Sequence, residues 1–158
     1  MDRLVTTYLA LEGLQALRPA RPVDAEVARL DPPDGTVNRW LYAKVGAPWQ
    51  WTDLLGRDDA WWHEHGRRCE TWTARVDGRL AGYAELARPD ADGVELQYFG
   101  LLPAFHGRGL GGHLLTVVLR RGLELAPRVW LHTCSLDGPH AQANYEARGM
   151  RPFRRVVT

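Results

Sequence analysis

Residues 105–115 read FHGRGLGGHLL, and four of these eleven residues are glycines. Gly107, Gly109 and Gly112 satisfy the pattern G-x-G-x-x-G. Glycines permit positive φ angles and let a ligand approach the backbone, and the first amides of a helix have no intrahelical partner. Because a helical pattern follows at once, the stretch predicts a phosphate-binding turn. A plain helix start with glycines for close packing is the alternative.

The segments around this stretch predict alternating strands and helices. Period-two alternation and the turn pair Asp77-Gly78 predict an antiparallel meander of strands 70–76, 79–87 and 94–102. Apolar residues at helical spacing, from Leu110 to Val118, predict a helix over 108–126. A strand over 128–136, a short helix over 139–148 and a last strand over 150–157 complete this part. The fold class predicted is α/β.

The first seventy residues give weaker patterns. Residues 6–13 and 23–30 are compatible with strands, and residues 37–45 have the apolar spacing of a helix. A second helix is expected over 57–66, capped by Asp58 or Asp59.

A dinucleotide site is excluded by the surroundings of the glycines. Such a site needs a parallel βαβ array and an acidic residue about twenty residues further on, for the ribose hydroxyls. Here the preceding strand belongs to a meander, and the next strand carries Trp130 with apolar neighbours. Only 46 residues follow Gly112, too few for the rest of that sheet.

Size and charge narrow the function further. The 158 residues suit one domain, and the formal net charge of +1 favours neither nucleic acid nor an anionic membrane as partner. No secretory leader is recognised at the N-terminus. Cys69 and Cys134 lack metal-ligand spacing and suit reduced thiols of a cytoplasmic protein. The pair His63 and His65 lacks a second ligand cluster, so no metal is expected.

The stretch and its surroundings resemble the GNAT superfamily of acyl-CoA-dependent N-acetyltransferases. The family has a strand ending in hydrophobic-x-Pro and then Gln/Arg-x-x-Gly-x-Gly/Ala, which matches Leu101-Leu102-Pro103 followed by residues 106–111, with Gly109 and Gly111 on the family's glycines. His106 stands where the family has Gln or Arg. Further on, residues 144–150 (NYEARGM) resemble Leu-Tyr-x-x-x-Gly-Phe, whereas Gly138 replaces an asparagine that the family often has. The resemblance covers about residues 70–155.

The resemblance implies a central mixed, mostly antiparallel sheet flanked by helices, in a single domain over residues 1–158. Residues 1–69 would form the acceptor side and residues 70–158 the acyl-CoA core. Acetyl-CoA is the implied co-substrate, without a metal. The residues implied to bind it are Phe99, Gly100, Leu101, His106, Gly107, Arg108, Gly109, Leu110, Gly111, Gly112 and Asn144. The family also implies a homodimer, with no surface assigned here.

Two residues are candidates for the proton transfers of acetyl transfer to an amine. Glu95 is a carboxylate in a mostly apolar strand, eleven residues before His106, where members with a glutamate base on this strand place it. Partial burial would suit it as a base; a solvent-facing carboxylate is the alternative, and Glu85 is the reserve candidate. Tyr145 matches the family's tyrosine, whose phenol can protonate the leaving thiolate.

The acceptor is expected to be a small-molecule primary amine. Aromatic residues crowd the expected acceptor side, and Trp40, Tyr42, Trp49 and Trp51, with Glu95, are the predicted substrate-binding residues. Packing of these rings onto the sheet is the alternative. His132 and Cys134 share one strand face, but no third group supports a nucleophilic pair. A non-catalytic acyl-CoA-binding module on the same fold is the rival function.

Overall fold

A computed structural model describes residues 3–158. Its strands are β1 (Val5–Leu11), β2 (Glu26–Arg29), β3 (Cys69–Val76), β4 (Arg79–Ala87), β5 (Val94–Leu101), β6 (Val129–Cys134) and β7 (Arg151–Val157). Its helices are α1 (Gly35–Gly46), α2 (Asp59–Arg67), α3 (Leu110–Leu125) and α4 (Ala141–Ala147). These elements confirm the predicted α/β class.

The strands form one sheet in the order β2-β3-β4-β5-β6-β1-β7. Between residues 3 and 158, neighbouring strands pair antiparallel except β5 and β6, which pair in parallel. The predicted meander is β3-β4-β5. The two N-terminal strands lie far apart, because β2 extends the meander at one edge whereas β1 inserts between β6 and β7.

The side chains of β4 alternate between the two faces of the sheet. Ala84 and Leu86 join the main core, which packs against Leu110, Leu114 and Leu119 of α3. Tyr83 joins a smaller cluster with Leu41 and Val45 of α1 on the other face. The helix α2 packs beside α1 and begins after Asp58, whose carboxylate accepts a hydrogen bond from the Trp61 amide at 2.9 Å.

Within residues 3–158 no helix combines the length and the apolar character that crossing a membrane requires.

Candidate active site

The central feature of the site is the separation of β5 from β6. The two strands pair at only two positions, Val94 with Val129 and Glu95 with Trp130. Beyond Glu95, β5 remains paired with β4 up to Leu101 but has no further partner in β6. One edge of residues 96–101 is therefore available for another extended group. Phe99, Gly100 and Leu101, which the resemblance predicts to bind acetyl-CoA, lie on this part of β5.

A β-bulge accompanies the separation. Glu85 pairs with Tyr98 and Leu86 pairs with Leu96, so Gln97 is an extra residue on β5. Bulges bend a strand and increase its twist. The bulge follows Glu95 by two residues and so coincides with the point where β5 leaves β6.

The glycine-rich stretch forms a turn between the end of β5 and the start of α3. Gly107 and Gly109 both have φ near +77°, a region that other residues avoid. Gly109 is the N-cap residue of α3, and because glycine has no side chain it makes no capping hydrogen bond to the first amides of the helix. The amides at the start of α3 therefore have no intrahelical partner, as the sequence predicts for an anion site.

Residues from three elements meet at the start of α3. A Cβ atom on Gly111 would lie 3.6 Å from Asn144 Nδ2 of α4 and 3.8 Å from Leu101 Cδ1 of β5. The structure thus brings together three of the residues predicted to bind the cofactor. His106 Nε2 also lies 3.1 Å from the Leu101 carbonyl oxygen, within hydrogen-bond distance.

Arg148 is a charged neighbour of this turn that the sequence analysis missed. Its Nη1 lies 2.6 Å from the place a Cβ atom would take on Gly112. Its Nε is buried without a hydrogen-bond partner among the described residues. A guanidinium with an unused donor beside a helix start suits a phosphate. Its position directly before Gly149, in the stretch that resembles the family, was the available signal.

Tyr145 lies on α4 and packs against β5, close to Asn144. Its side chain is 8% exposed, and its ring centroid is 6.0 Å from that of Phe99 on β5. Burial raises the pKa of Tyr145, and the charge of Asp137 adds to the effect. The phenol therefore keeps its proton at neutral pH, as a proton donor must.

The two candidate bases have different surroundings. Glu95 is half-buried at the last position where β5 pairs with β6. Burial raises the pKa of Glu95, and the His132 side chain partly offsets this rise. Glu85 is 1% exposed beneath α1 and α2. It accepts hydrogen bonds from Asn38 and Gln97, so no acceptor amine reaches it directly. Of the two, Glu95 has the access that a base needs.

The predicted aromatic acceptor residues do not form one wall. Tyr42 is 2% exposed, and its hydroxyl accepts a hydrogen bond from the Leu54 amide. Tyr42 is therefore part of the buried packing and does not line a surface. Trp51 packs on Tyr42 and on Tyr98 of β5. Trp40 is 44% exposed and lines a separate depression near the β3–β4 turn.

Trp49 links both positions at which the sequence departs from the family pattern. Its indole stacks on the His106 ring, with centroids 6.3 Å apart. The same indole faces Gly138, where an added Cβ atom would lie only 2.9 Å from it. A side chain at position 138 would displace the ring, so His106, Gly138 and Trp49 form one packing unit.

A cavity that no sequence pattern predicts lies on the Glu95 face of the sheet. This cavity has a volume of about 430 Å³ and is lined by Tyr8, Ala91, Asp92, Arg128, Trp130, Phe153 and Arg154. Trp130 is the register partner of Glu95, so their side chains share a face. The aromatic rings come from β1, β6 and β7, and only the three-dimensional order of these strands brings them together. His132 is exposed on this face, whereas Cys134 is half-buried.

The fold agrees with the comparisons to known proteins. The sequence profile of the acetyltransferase (GNAT) family matches residues 37–150, well over half of the chain. The chain therefore belongs to the GNAT family of acetyltransferases, which confirms the resemblance.

Relatives of the chain come from Mycobacterium and Nocardia species. An uncharacterized N-acetyltransferase of Mycobacterium tuberculosis is 39% identical over 87 residues, which are 52% of this chain and 56% of that protein. A mycothiol acetyltransferase of Nocardia farcinica is 37% identical over 83 residues, 52% of this chain and 26% of that protein. The match thus spans about half of the mycobacterial relative and a quarter of the other.

Solved structures share the fold. A GCN5-related N-acetyltransferase from Kribbella flavida superimposes with a TM-score of 0.67 at 20% identity, covering 99% of this chain and 57% of that one. An aminoglycoside N-acetyltransferase in complex with CoA has a TM-score of 0.63 at 20% identity, covering 87% of this chain and 95% of that one.

Proposed function

We propose that this chain transfers an acetyl group from acetyl-CoA to the primary amine of a small molecule, directly and without a covalent enzyme intermediate. The observation that carries the proposal is the free edge of β5 after Glu95, which leads into the glycine turn and the start of α3. An extended pantetheine arm suits a free strand edge, and a pyrophosphate suits the unpaired amides of a helix start. Family membership supports both assignments.

Different residues at this edge would bind different parts of acetyl-CoA. The amides of Gly109, Leu110 and Gly111 would hold the pyrophosphate, with the Arg148 guanidinium beside them. The backbone near Leu101 would hold the thioester, and an amide there would polarise its carbonyl. Asn144 would contact the arm where it passes between β5 and α4. The amide contacts to the pyrophosphate and to the thioester use backbone groups, so they tolerate His106 in place of the family's Gln or Arg.

Proton transfer completes the reaction. The amine nitrogen attacks the thioester carbonyl, a C–N bond forms and the C–S bond breaks. Glu95 takes the proton that the amine loses through a chain of waters along β5, since the backbone near Leu101 lies six residues further along the strand, and its raised pKa favours this. Tyr145 protonates the departing thiolate and recovers a proton from solvent. Its position beside Phe99 places it next to the strand that would hold the thioester.

The acceptor would lie on the Glu95 face of the sheet. Tyr8, Trp130 and Phe153 offer aromatic surface on this face, and Trp130 is the register partner of Glu95; such a surface suits an amine with an apolar or aromatic body. Trp51, which packs on Tyr98 of β5, and Trp49, which stacks on His106, would border the acceptor further along β5, beyond the point where β5 and β6 separate.

The first experiment compares thermal unfolding with acetyl-CoA, free CoA and NAD. A ligand at a hundred times its Kd adds about 2.7 kcal/mol, which raises Tm by roughly 5–11 °C in a domain of this size. Stabilisation by both CoA compounds and not by NAD is expected. Amines are then incubated with acetyl-CoA and followed by mass spectrometry for the gain of one acetyl group. CoA binding without product across a broad amine panel would favour a non-catalytic module, and no shift at all would refute the donor site.

A further inference from the structure

Three side chains of metal-binding types meet on the sheet face that α1 and α2 cover. His65 comes from α2, Cys69 from the start of β3 and Glu85 from β4, and their ligand atoms all lie within 4.8 Å of one another. Glu85 Oε1 is 2.6 Å from His65 Nε2 and 3.8 Å from Cys69 Sγ. The sequence places His65 near the exposed His63; only the fold turns it towards Cys69 and Glu85.

The buried Glu85 carboxylate of this cluster has a single basic partner among the described residues. Glu85 is 1% exposed, and its one ion-pair partner among residues 3–158 is the imidazole of His65. The other close donors, Asn38 Nδ2 at 2.9 Å and Gln97 Nε2 at 3.1 Å, are neutral amides. A carboxylate removed from water costs free energy unless a cation or a proton accompanies it.

Asn38 provides a second observation at the same place. This side chain is 0% exposed, and its Nδ2 donates to both Thr71 Oγ1 and Glu85 Oε2. Its Oδ1 has no hydrogen-bond partner in the described part of the chain. Rotating the amide would direct Oδ1 at the carboxylate, which is repulsive unless a cation lies between the two oxygens. Asn38 therefore carries a buried oxygen that lies beside Gly66 of α2 in this structure and that would face a cation in the cluster after this rotation.

We propose that His65, Cys69 and Glu85 bind one Zn²⁺ ion, with the rotated Asn38 amide oxygen or a water as the fourth ligand. Zinc binds nitrogen, sulfur and oxygen at about 2.0–2.3 Å, so tetrahedral ligands lie roughly 3.3–3.8 Å apart. The separation of Cys69 Sγ from Glu85 Oε1 already meets this value. The His65 ring needs to retreat from Glu85 by less than about 1 Å.

The ligand set selects zinc over the common hard cations. A thiolate and an imidazole are poor partners for Mg²⁺ and Ca²⁺, which take oxygen ligands. Zinc with one thiolate, one carboxylate and a neutral imidazole has no net charge, as a buried site requires. Binding displaces the proton of the Cys69 thiol to solvent and uses the Nε2 lone pair of neutral His65.

Such an ion would fasten α2 to the sheet beside the β-bulge. It would join the end of α2 to β3 and β4, and Glu85 is also the acceptor for Gln97, the bulge residue of β5. The role is structural, and it requires neither acetyl-CoA nor an amine. Its success or failure is therefore separate from that of the proposed transferase activity.

The test is a Co²⁺ titration of chelator-treated protein in a Cys134→Ser background, where Cys69 is the only thiol. One equivalent should produce the intense near-ultraviolet band of a thiolate bound to cobalt, and Zn²⁺ should abolish this band by displacement. Cys69→Ser should remove the band, and His65→Gln should weaken binding at least tenfold. His63→Gln changes an exposed histidine on the same helix and should bind like the parent.

Thermal unfolding keeps the test decisive where a variant folds poorly. Zn²⁺ should raise the Tm of the Cys134→Ser parent and of His63→Gln, but not that of His65→Gln. His65 lies at the edge of the cluster, so this variant should fold even if Cys69→Ser does not. Absence of a thiolate band in the folded parent, or equal cobalt affinity in His65→Gln, would overturn the proposal.

Discussion

Replacing Gly111 by alanine should stabilise the fold and leave the binding of CoA nearly unchanged, whereas leucine at the same position should weaken that binding. Gly111 has helical backbone angles in the first turn of α3, so alanine removes freedom from the unfolded chain. The gain should be about 0.5–1 kcal/mol, or roughly 1–4 °C in Tm. The new methyl group fits the apo protein, because its nearest neighbours lie at 3.6 and 3.8 Å.

The family has Gly or Ala at this position, so the alanine variant should retain its affinity for CoA. A larger side chain would occupy the space between Leu101 and Asn144 through which the pantetheine arm would pass. We therefore expect Gly111→Leu to raise the Kd for acetyl-CoA, measured by calorimetry, at least tenfold, or about 1.4 kcal/mol. Gly109→Ala is the matched control for stability, since its φ of +77° makes alanine cost about 1–2 kcal/mol. Unchanged CoA affinity in a folded Gly111→Leu variant would refute the assignment of this turn, and a destabilised Gly111→Ala variant would refute its geometry.

Four further variants test the site and its surroundings. Tyr145→Phe should lower kcat in steady-state assays and leave the Kd for acetyl-CoA nearly unchanged; the opposite pattern would remove the acid role. Glu95→Gln should abolish the acid limb of the kcat/KM profile, which in the parent should lie above the ordinary glutamate pKa because burial raises the pKa of Glu95 and the base works ionised. Arg148→Ala should raise the Kd for CoA at least fivefold and reduce its salt dependence; equal salt dependence would contradict a phosphate contact. Glu70→Gln should lower the free energy of unfolding by about 1–3 kcal/mol, since two hydrogen bonds from Arg121 hold the pKa of Glu70 below its usual range. That stabilisation is present above the unfolded pKa of about 4.3 and is lost as the pH falls towards the lower folded value, so urea denaturation of parent and variant should converge in acid.

Local patterns in the sequence determined most of the elements. The meander and α3 were predictable because alternation, the Asp77-Gly78 turn and the apolar spacing of α3 all lie within short windows. The order of the strands was not predictable, since alternation in residues 6–13 shows that one face is buried but not which strands lie beside it. That β1 separates β6 from β7 follows from long-range packing alone.

The residues of the candidate site also form two groups: those that short sequence motifs predict, and those that only the three-dimensional fold brings together. Gly109, Gly111 and Tyr145 could be found because they lie in short motifs with fixed spacing. Tyr8 and Trp130, which line the cavity beside Glu95, are 122 residues apart and meet through strand order. Trp40 shows the opposite case. It is near Trp49 and Trp51 in the sequence, but in the fold it lines a different depression, near the β3–β4 turn.

The separation of β5 from β6 has identifiable physical causes. Gln97 adds a residue to β5, and its amide donates to the buried Glu85, so the bulge is fixed from the α2 side. Further along, Gly100 lies so close to Val45 that a Cβ atom would come within 2.5 Å of that side chain. β5 is thus drawn towards α1 and away from β6 over the residues that follow Glu95. Since β5 is bulged where Gln97 bonds to Glu85 of β4 and is packed against α1 at Gly100, it diverges from β6, and the free edge is the consequence.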